Sequence, residues 1–224
     1  NFEPGRPGEQ AQELALVLER AIRETGAVDV ESLCVLAGRR VWHVRCDVHV
    51  LDACGNIAGA ASLAADAALL SFRRPEATVS PDTQLITVHP ADVREPVPLA
   101  LHHLPVAITF GYFAEQDGLV ITDPTVNEEM VIGSELVVVL NAHDELCAVR
   151  YGGEVAVNPS EISRCVRIAS RISKDLTQDL KKAHAAWEVE RDKRRVRRHY
   201  GVEAAANPDF GLPGRGDHLN PAQG

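Results

Sequence analysis

Apolar residues recur at Leu14, Val17, Leu18, Ala21 and Ile22 with polar residues between them, a spacing that predicts an amphipathic helix ended by Gly26. The period then shortens to two. Residues 32–37 and 41–51 read as strands joined at Gly38-Arg39-Arg40, with β-branched bulk at Val41, Val44, Val48 and Val50. Cys54-Gly55-Asn56 closes the second strand, and residues 57–72 form an alanine-rich helix whose small side chains predict close packing. Residues 73–98 are rich in Pro, Asp, Glu and Thr, with one short strand at 84–88, and mark a boundary between two lobes. Four further strands are expected at 104–113, 118–122, 136–141 and 145–150, the last two joined by Ala142-His143-Asp144. A long helix then opens at Asn158-Pro159-Ser160, where Asn158 or Ser160 can cap and Pro159 suits the first turn. Ile162, Val166, Ile168, Ile172, Leu176 and Leu180 mark its buried face as it runs to about Arg198. This places a first lobe at 1–75, a connecting segment at 76–98, a second lobe at 99–186 and a tail at 187–224.

With 224 residues, 45% of them hydrophobic, the chain can bury a full core. Lys+Arg total 23 against 32 Asp+Glu, a formal charge of -9, so the molecule as a whole repels phosphate backbones and any nucleic-acid contact must be local. The tail carries seven Lys/Arg and six Asp/Glu, so the acidity belongs to the body. The five cysteines, Cys34, Cys46, Cys54, Cys147 and Cys165, have no C-x-x-C pair or zinc spacing and read as reduced, mostly buried thiols of an intracellular protein. The most apolar stretch, 57–70, is shorter than the ~20 residues of a membrane span and contains Asp66. A start at Asn1 without a secretory pattern reads as the inside of a longer protein.

No Walker loop, G-x-G-x-x-G, G-x-S-x-G or H-E-x-x-H occurs. His102-His103 enter a strand, where neighbours point to opposite faces, and read as ordinary histidines with no metal. Asp123, Glu128, Glu129 and Glu135 form an acidic stretch that reads as a solvated loop, with Mg²⁺ binding or acid–base chemistry as the alternative. Arg39 and Arg40 at a hairpin tip, with Arg45 beyond, are placed to touch a phosphate backbone or simply to be solvated. The tail cluster of Arg191, Lys193, Arg194, Arg195, Arg197 and Arg198 suits nucleic-acid attraction, nuclear import or solubility equally.

Several motifs in order carry a resemblance. Asp29-Val30-Glu31-Ser32-Leu33-Cys34-Val35 with Gly38 and Val41-Trp42, Phe72-Arg73-Arg74-Pro75, Arg94-Glu95-Pro96-Val97-Pro98-Leu99, His102-His103-Leu104-Pro105, Asp123-Pro124 with Glu128-Glu129, and Arg164-Cys165 are similar to those of RNase PH-like subunits of the eukaryotic RNA exosome ring, of the polymyositis/scleroderma autoantigen type. The resemblance reaches about residue 185. It implies an α/β (α+β) fold of two lobes, mixed sheets packed against helices, with the opening strands of the first lobe lying upstream of Asn1. It also implies a scaffold and RNA-channel role in RNA processing and degradation in nucleus, nucleolus and cytoplasm. Expected partners are other ring subunits, cap subunits, RNA and associated hydrolytic nucleases, with no membrane and no cofactor.

Active relatives bind phosphate through arginines, because cations must hold it against its repulsion from RNA. The last Arg of their G-R-x-G-G-R pattern aligns with Gln10, Gly5-Arg6 retaining its start, and the Arg of their G-[GS]-[ST]-R turn aligns with Ala58 in Gly55-Asn56-Ile57-Ala58. Their catalytic Asp falls, by counting from Asp123, at Glu135. The resemblance therefore implies a non-catalytic subunit, with a residual 3′-to-5′ exoribonuclease using Glu135, or an RNA-binding tail, as alternatives.

Overall fold

In the computed structural model, residues 8–113 and 119–206 are described, 196–206 by their backbone alone. They form two compact units divided after His184. The larger is built on one antiparallel sheet with the strand order β10-β9-β7-β8. Its strands are β7 (Val106–Tyr112), β8 (Val120–Thr122), β9 (Ser134–Leu140) and β10 (Leu146–Gly153). Every residue of β7 is buried, and β9 nearly so, because both faces of these central strands are covered.

Alternation divides the sheet's side chains into two cores. Val106, Ile108, Phe110, Leu136, Val138 and Leu140 point to one face, against Cys165 and Ala169 of α4 (Pro159–Ala206). Ala107, Val137 and Val139 point to the other, against Val17 and Ala21 of the first helical segment. Helix α4 begins where expected: Asn158 caps it, its Oδ1 accepting from the Ser160 N–H at 3.1 Å. It is fastened to the sheet by the buried Ser173 hydroxyl, which donates to the Leu140 carbonyl at 2.8 Å. Replacing Ser173 by Ala should cost about 1 kcal/mol in urea unfolding, since the buried carbonyl loses its extra donor.

The first helix is α1 (Glu9–Glu19), continued by a π-helical turn at Arg20–Glu24. It stops at Gly26, whose φ of 70° favours glycine. Residues 27–29 then pair with 100–102 through Asp29 N–H to Ala100 O at 2.9 Å and His102 N–H to Ala27 O at 2.9 Å. Helix α2 (Ile57–Ser71) lies against β7, its buried Ser62 hydroxyl accepting from the Ala107 N–H at 3.0 Å. Small residues on α2 permit that approach, as its alanine content requires.

Several expected elements differ. The strand expected at 32–37 is a 3-10 turn, Glu31–Leu33, followed by β1 (Cys34–Leu36). The strand expected at 41–51 shrinks to β2 (Arg40–Val41), paired with β1. Residues 42–50 carry no regular structure, because no strand among the described residues lies beside them to complete a ladder. Their Val44, Cys46, Val48 and Val50 instead line an apolar groove of about 410 Å³ with Leu14, Leu18 and Ile22. The connecting segment holds more than one short strand: β3 (Arg73–Arg74) pairs with β6 (Val97–Pro98), and β4 (Ala77–Val79) with β5 (Ile86–Val88). Gly118 of the expected strand 118–122 lies outside the described residues. The cysteines are not mostly buried either: Cys34, Cys46 and Cys54 are exposed, and only Cys165 is fully buried. No helix among the described residues is long and apolar enough to cross a membrane.

Candidate active site

Two positions gather the residues of interest, and the first is the N-terminus of α2. Gly55, at φ 106°, and Asn56, at φ 45°, turn the chain into the helix, and Asn56 Oδ1 accepts from the Gly59 N–H at 3.1 Å. The helix end is already occupied by the chain's own acids. Glu129 Oε1 accepts from the Asn56 N–H at 2.8 Å, and Asp123 Oδ1 accepts from Asn56 Nδ2 at 2.6 Å. Both carboxylates arrive on a strap after β8 that contains α3 (Val126–Glu129), a single turn where a solvated loop was expected. Thr125 and Glu128 form its capping box, and the Thr125 N–H and hydroxyl, each 2.8 Å from Glu128 Oε2, hold the Glu128 carboxyl below its ordinary range. Ala58, in the first turn of α2, packs half-buried against the Val17–Val137 core.

The second position is Glu135 on β9. It lies opposite Gly111 and Gly152 in the sheet register, and Arg150 on β10 donates to Glu135 Oε2 at 3.1 Å. The other guanidinium nitrogen of Arg150 contacts Glu13 of α1. One cation thus bridges two acids and ties α1 to the sheet. Gln10 lies one turn earlier on α1, exposed, while Gly5 and Arg6 lie outside the described residues. Replacing Arg150 by Gln should cost about 1 kcal/mol in low salt, less in high salt, because all three side chains are roughly a third or more exposed. Chemical unfolding at two ionic strengths checks this.

The four acids of the expected stretch therefore do not converge: Asp123 and Glu129 serve Asn56, Glu128 serves Thr125, and Glu135 serves Arg150. No group of three or more His, Cys, Asp or Glu among the described residues is arranged to hold a metal ion. His103 Nε2 lies 3.0 Å from the Thr25 hydroxyl, and burial lowers its pKa, while His102 is exposed. Arg39 and Arg40 stand exposed at the β1–β2 turn. Arg45 is also exposed but pairs with Asp47 at 2.8 Å. In the second unit Arg194 pairs with Glu190 at 3.2 Å, Arg195 is exposed, and Arg191 stacks 5.3 Å from the Trp187 ring centroid while pairing with Asp192. Sequence reading missed Glu13 and Arg150, which are 137 residues apart and share no local pattern.

A four-stranded antiparallel sheet with α4 on one face and α1 and α2 on the other, and an acid, Glu135, on a central strand, makes this a mixed α/β protein. The 3′ exoribonuclease family, domain 1, matches residues 1–75, and domain 2 of the same family matches residues 103–172. This chain belongs to that RNase PH family. It is 47% identical over 201 residues to exosome complex component RRP45A of Arabidopsis thaliana, covering 89% of this chain and 65% of the relative. It is 38% identical over 182 residues to exosome complex component RRP45 of Homo sapiens, covering 81% of this chain and 41% of the relative. The chain thus spans about two fifths to two thirds of the length of these relatives. A solved structure titled as the Archaeoglobus fulgidus exosome with RNA bound to the active site superposes with a TM-score of 0.66 at 29% identity, over 80% of this chain and 65% of that one.

Proposed function

We propose that this protein is a ring subunit of an RNA exosome that scaffolds the assembly and its RNA channel without catalysing phosphorolysis, in nucleus, nucleolus and cytoplasm. Its partners are other RNase PH-like ring subunits, cap subunits, attached hydrolytic nucleases and the RNA itself. The likeness to relatives named as exosome components supports the assembly. The observation that carries the non-catalytic part is the α2 N-terminus. A phosphate there would have to displace the Glu129 carboxylate from the Asn56 N–H, with Asp123 beside it, and Ala58 and Gln10 offer no cation in exchange.

Glu135 is equally unsuited to act alone, because its carboxylate is engaged by Arg150 and no phosphate site stands ready beside it. For RNA, the exposed Arg39 and Arg40 offer backbone contacts, whereas Arg45 and Arg194 are already paired with acids and Arg195 shares the tail. Native mass spectrometry of the tagged protein from its own cells, with partners identified, tests the scaffold reading: recovery among other RNase PH-like subunits supports it, and recovery as a lone protein sinks it. RNA shortening by the purified protein with phosphate, abolished in Glu135→Gln, would instead establish the residual exoribonuclease.

A further inference from the structure

The strap that clasps α2 also carries a surface that neither clasp nor core explains. Met130 and Val131, directly after α3, are 77% and 64% exposed. Most other large exposed apolar residues lie singly on the surface or in the unpaired stretch that follows β2. These two sit in a turn fixed at every step: Met130 N–H donates to Val126 O at 3.2 Å, Val131 N–H to Glu128 O at 3.0 Å, and Ile132 N–H to Glu128 O at 3.0 Å. The capping box holds one end of the turn. At the other, Gly133 N–H donates to Tyr112 O at 2.8 Å, and the Ile132 side chain lies over Gly111, where a Cβ would crowd it. A rigid backbone presenting two large apolar side chains to water is the form of an interface anchor, because little conformational entropy is lost when they are buried.

Charge decides what kind of partner fits. From residue 95 to residue 149 the chain has nine Asp/Glu and no Lys or Arg, and Glu128 and Glu129 immediately precede the pair. The Glu128 and Glu129 carboxylates next to the pair would repel a phosphate backbone, so an RNA contact at this place is disfavoured. The geometry points to Met130 and Val131 as the apolar centre of a protein-docking surface, filled by an apolar pocket edged with Lys and Arg on a neighbouring RNase PH-type subunit. This rests on the ring-subunit reading above and names the surface through which one of its contacts is made.

Two measurements on the assembly purified from cells test it. A photo-crosslinking amino acid at position 130 should join this chain to an RNase PH-type subunit at apolar residues flanked by basic ones. The double substitution Met130→Gln and Val131→Thr should leave the melting temperature of the isolated chain unchanged, since both side chains are exposed, yet lower the share recovered in the assembly by about tenfold or more. Leu85→Gln, at another exposed apolar position, should leave recovery unchanged. A crosslink to RNA, or full recovery of the double variant beside RNase PH-type subunits, overturns this inference and leaves the ring reading standing. Recovery of the unsubstituted protein without any such subunit overturns both.

Discussion

Between pH 5 and pH 8 the unfolding free energy of this protein is expected to fall by several kcal/mol, and the Asp66→Asn variant is expected to show almost none of that fall. Asp66 sits in the middle of α2, 1% exposed, and neither carboxyl oxygen has a hydrogen-bond partner among the described residues. Burial pushes its pKa up from 3.8 to about 8. The sign follows from which state holds the proton. Over that window the folded protein keeps a proton that the unfolded chain has released, so stability declines as pH rises, by about 1.4 kcal/mol per pH unit. Across these three units this accumulates to on the order of 4 kcal/mol, and above the folded pKa the loss is complete. Asparagine keeps the shape and the buried polar atoms but cannot ionise, so the variant should lose that fall and should be the more stable protein at pH 8. Urea titrations at successive pH values measure both curves. Parallel curves would mean that Asp66 finds a donor and is ionised in the folded state.

The placement of that residue was partly legible in the sequence and its consequence was not. An Asp in an alanine-rich helical run is visible, but whether it faces water or β7 depends on where the second lobe docks. The same division holds elsewhere. Helix α4 and strands β7 and β9 follow from their apolar periods, because each buries enough surface for local pattern and tertiary packing to agree. Residues 42–51 show the opposite case: Val44, Val48 and Val50 have strand-forming side chains, yet strand propensity becomes a strand only when another strand supplies the ladder. Here those side chains face α1 across a groove.

At the site, Gln10, Ala58 and Glu135 could be singled out from the motif resemblance alone. The partners of the side chains around them could not. Asn56 meets Glu129 across 73 residues, and Arg150 meets Glu13 across 137, distances that only the fold closes. One local signal was present and passed over: Thr125 followed three residues later by Glu128 is a capping box, and it marks α3. A single turn of helix is too short for a hydrophobic period to announce it.

Gly55→Ala should lower stability by about 3 kcal/mol, whereas Gly38→Ala should cost about 1 kcal/mol. Both glycines have positive φ, 106° at Gly55 and 72° at Gly38, so both lose the conformational freedom that favours glycine there. They differ in what the new methyl meets. At Gly38 nothing lies within 4 Å, so only the backbone preference is felt. At Gly55 the methyl would overlap the Pro124 carbonyl and the Thr125 backbone, and neither can swing aside as a side-chain tip would. The strap would have to retreat from α2, breaking the Val126 N–H to Cys54 O bond of 3.2 Å and loosening the hold of Glu129 and Asp123 on Asn56. For a chain of this size the two losses correspond to melting-temperature drops of about 6–12 °C and 2–4 °C, which calorimetry separates easily. Amide exchange adds a local reading, since in Gly55→Ala the Asn56 N–H should lose protection along with those of residues 126–132. Equal melting shifts for the two variants, with the strap still protected, would show that its docking on α2 gives way freely and does not fix the strap in place.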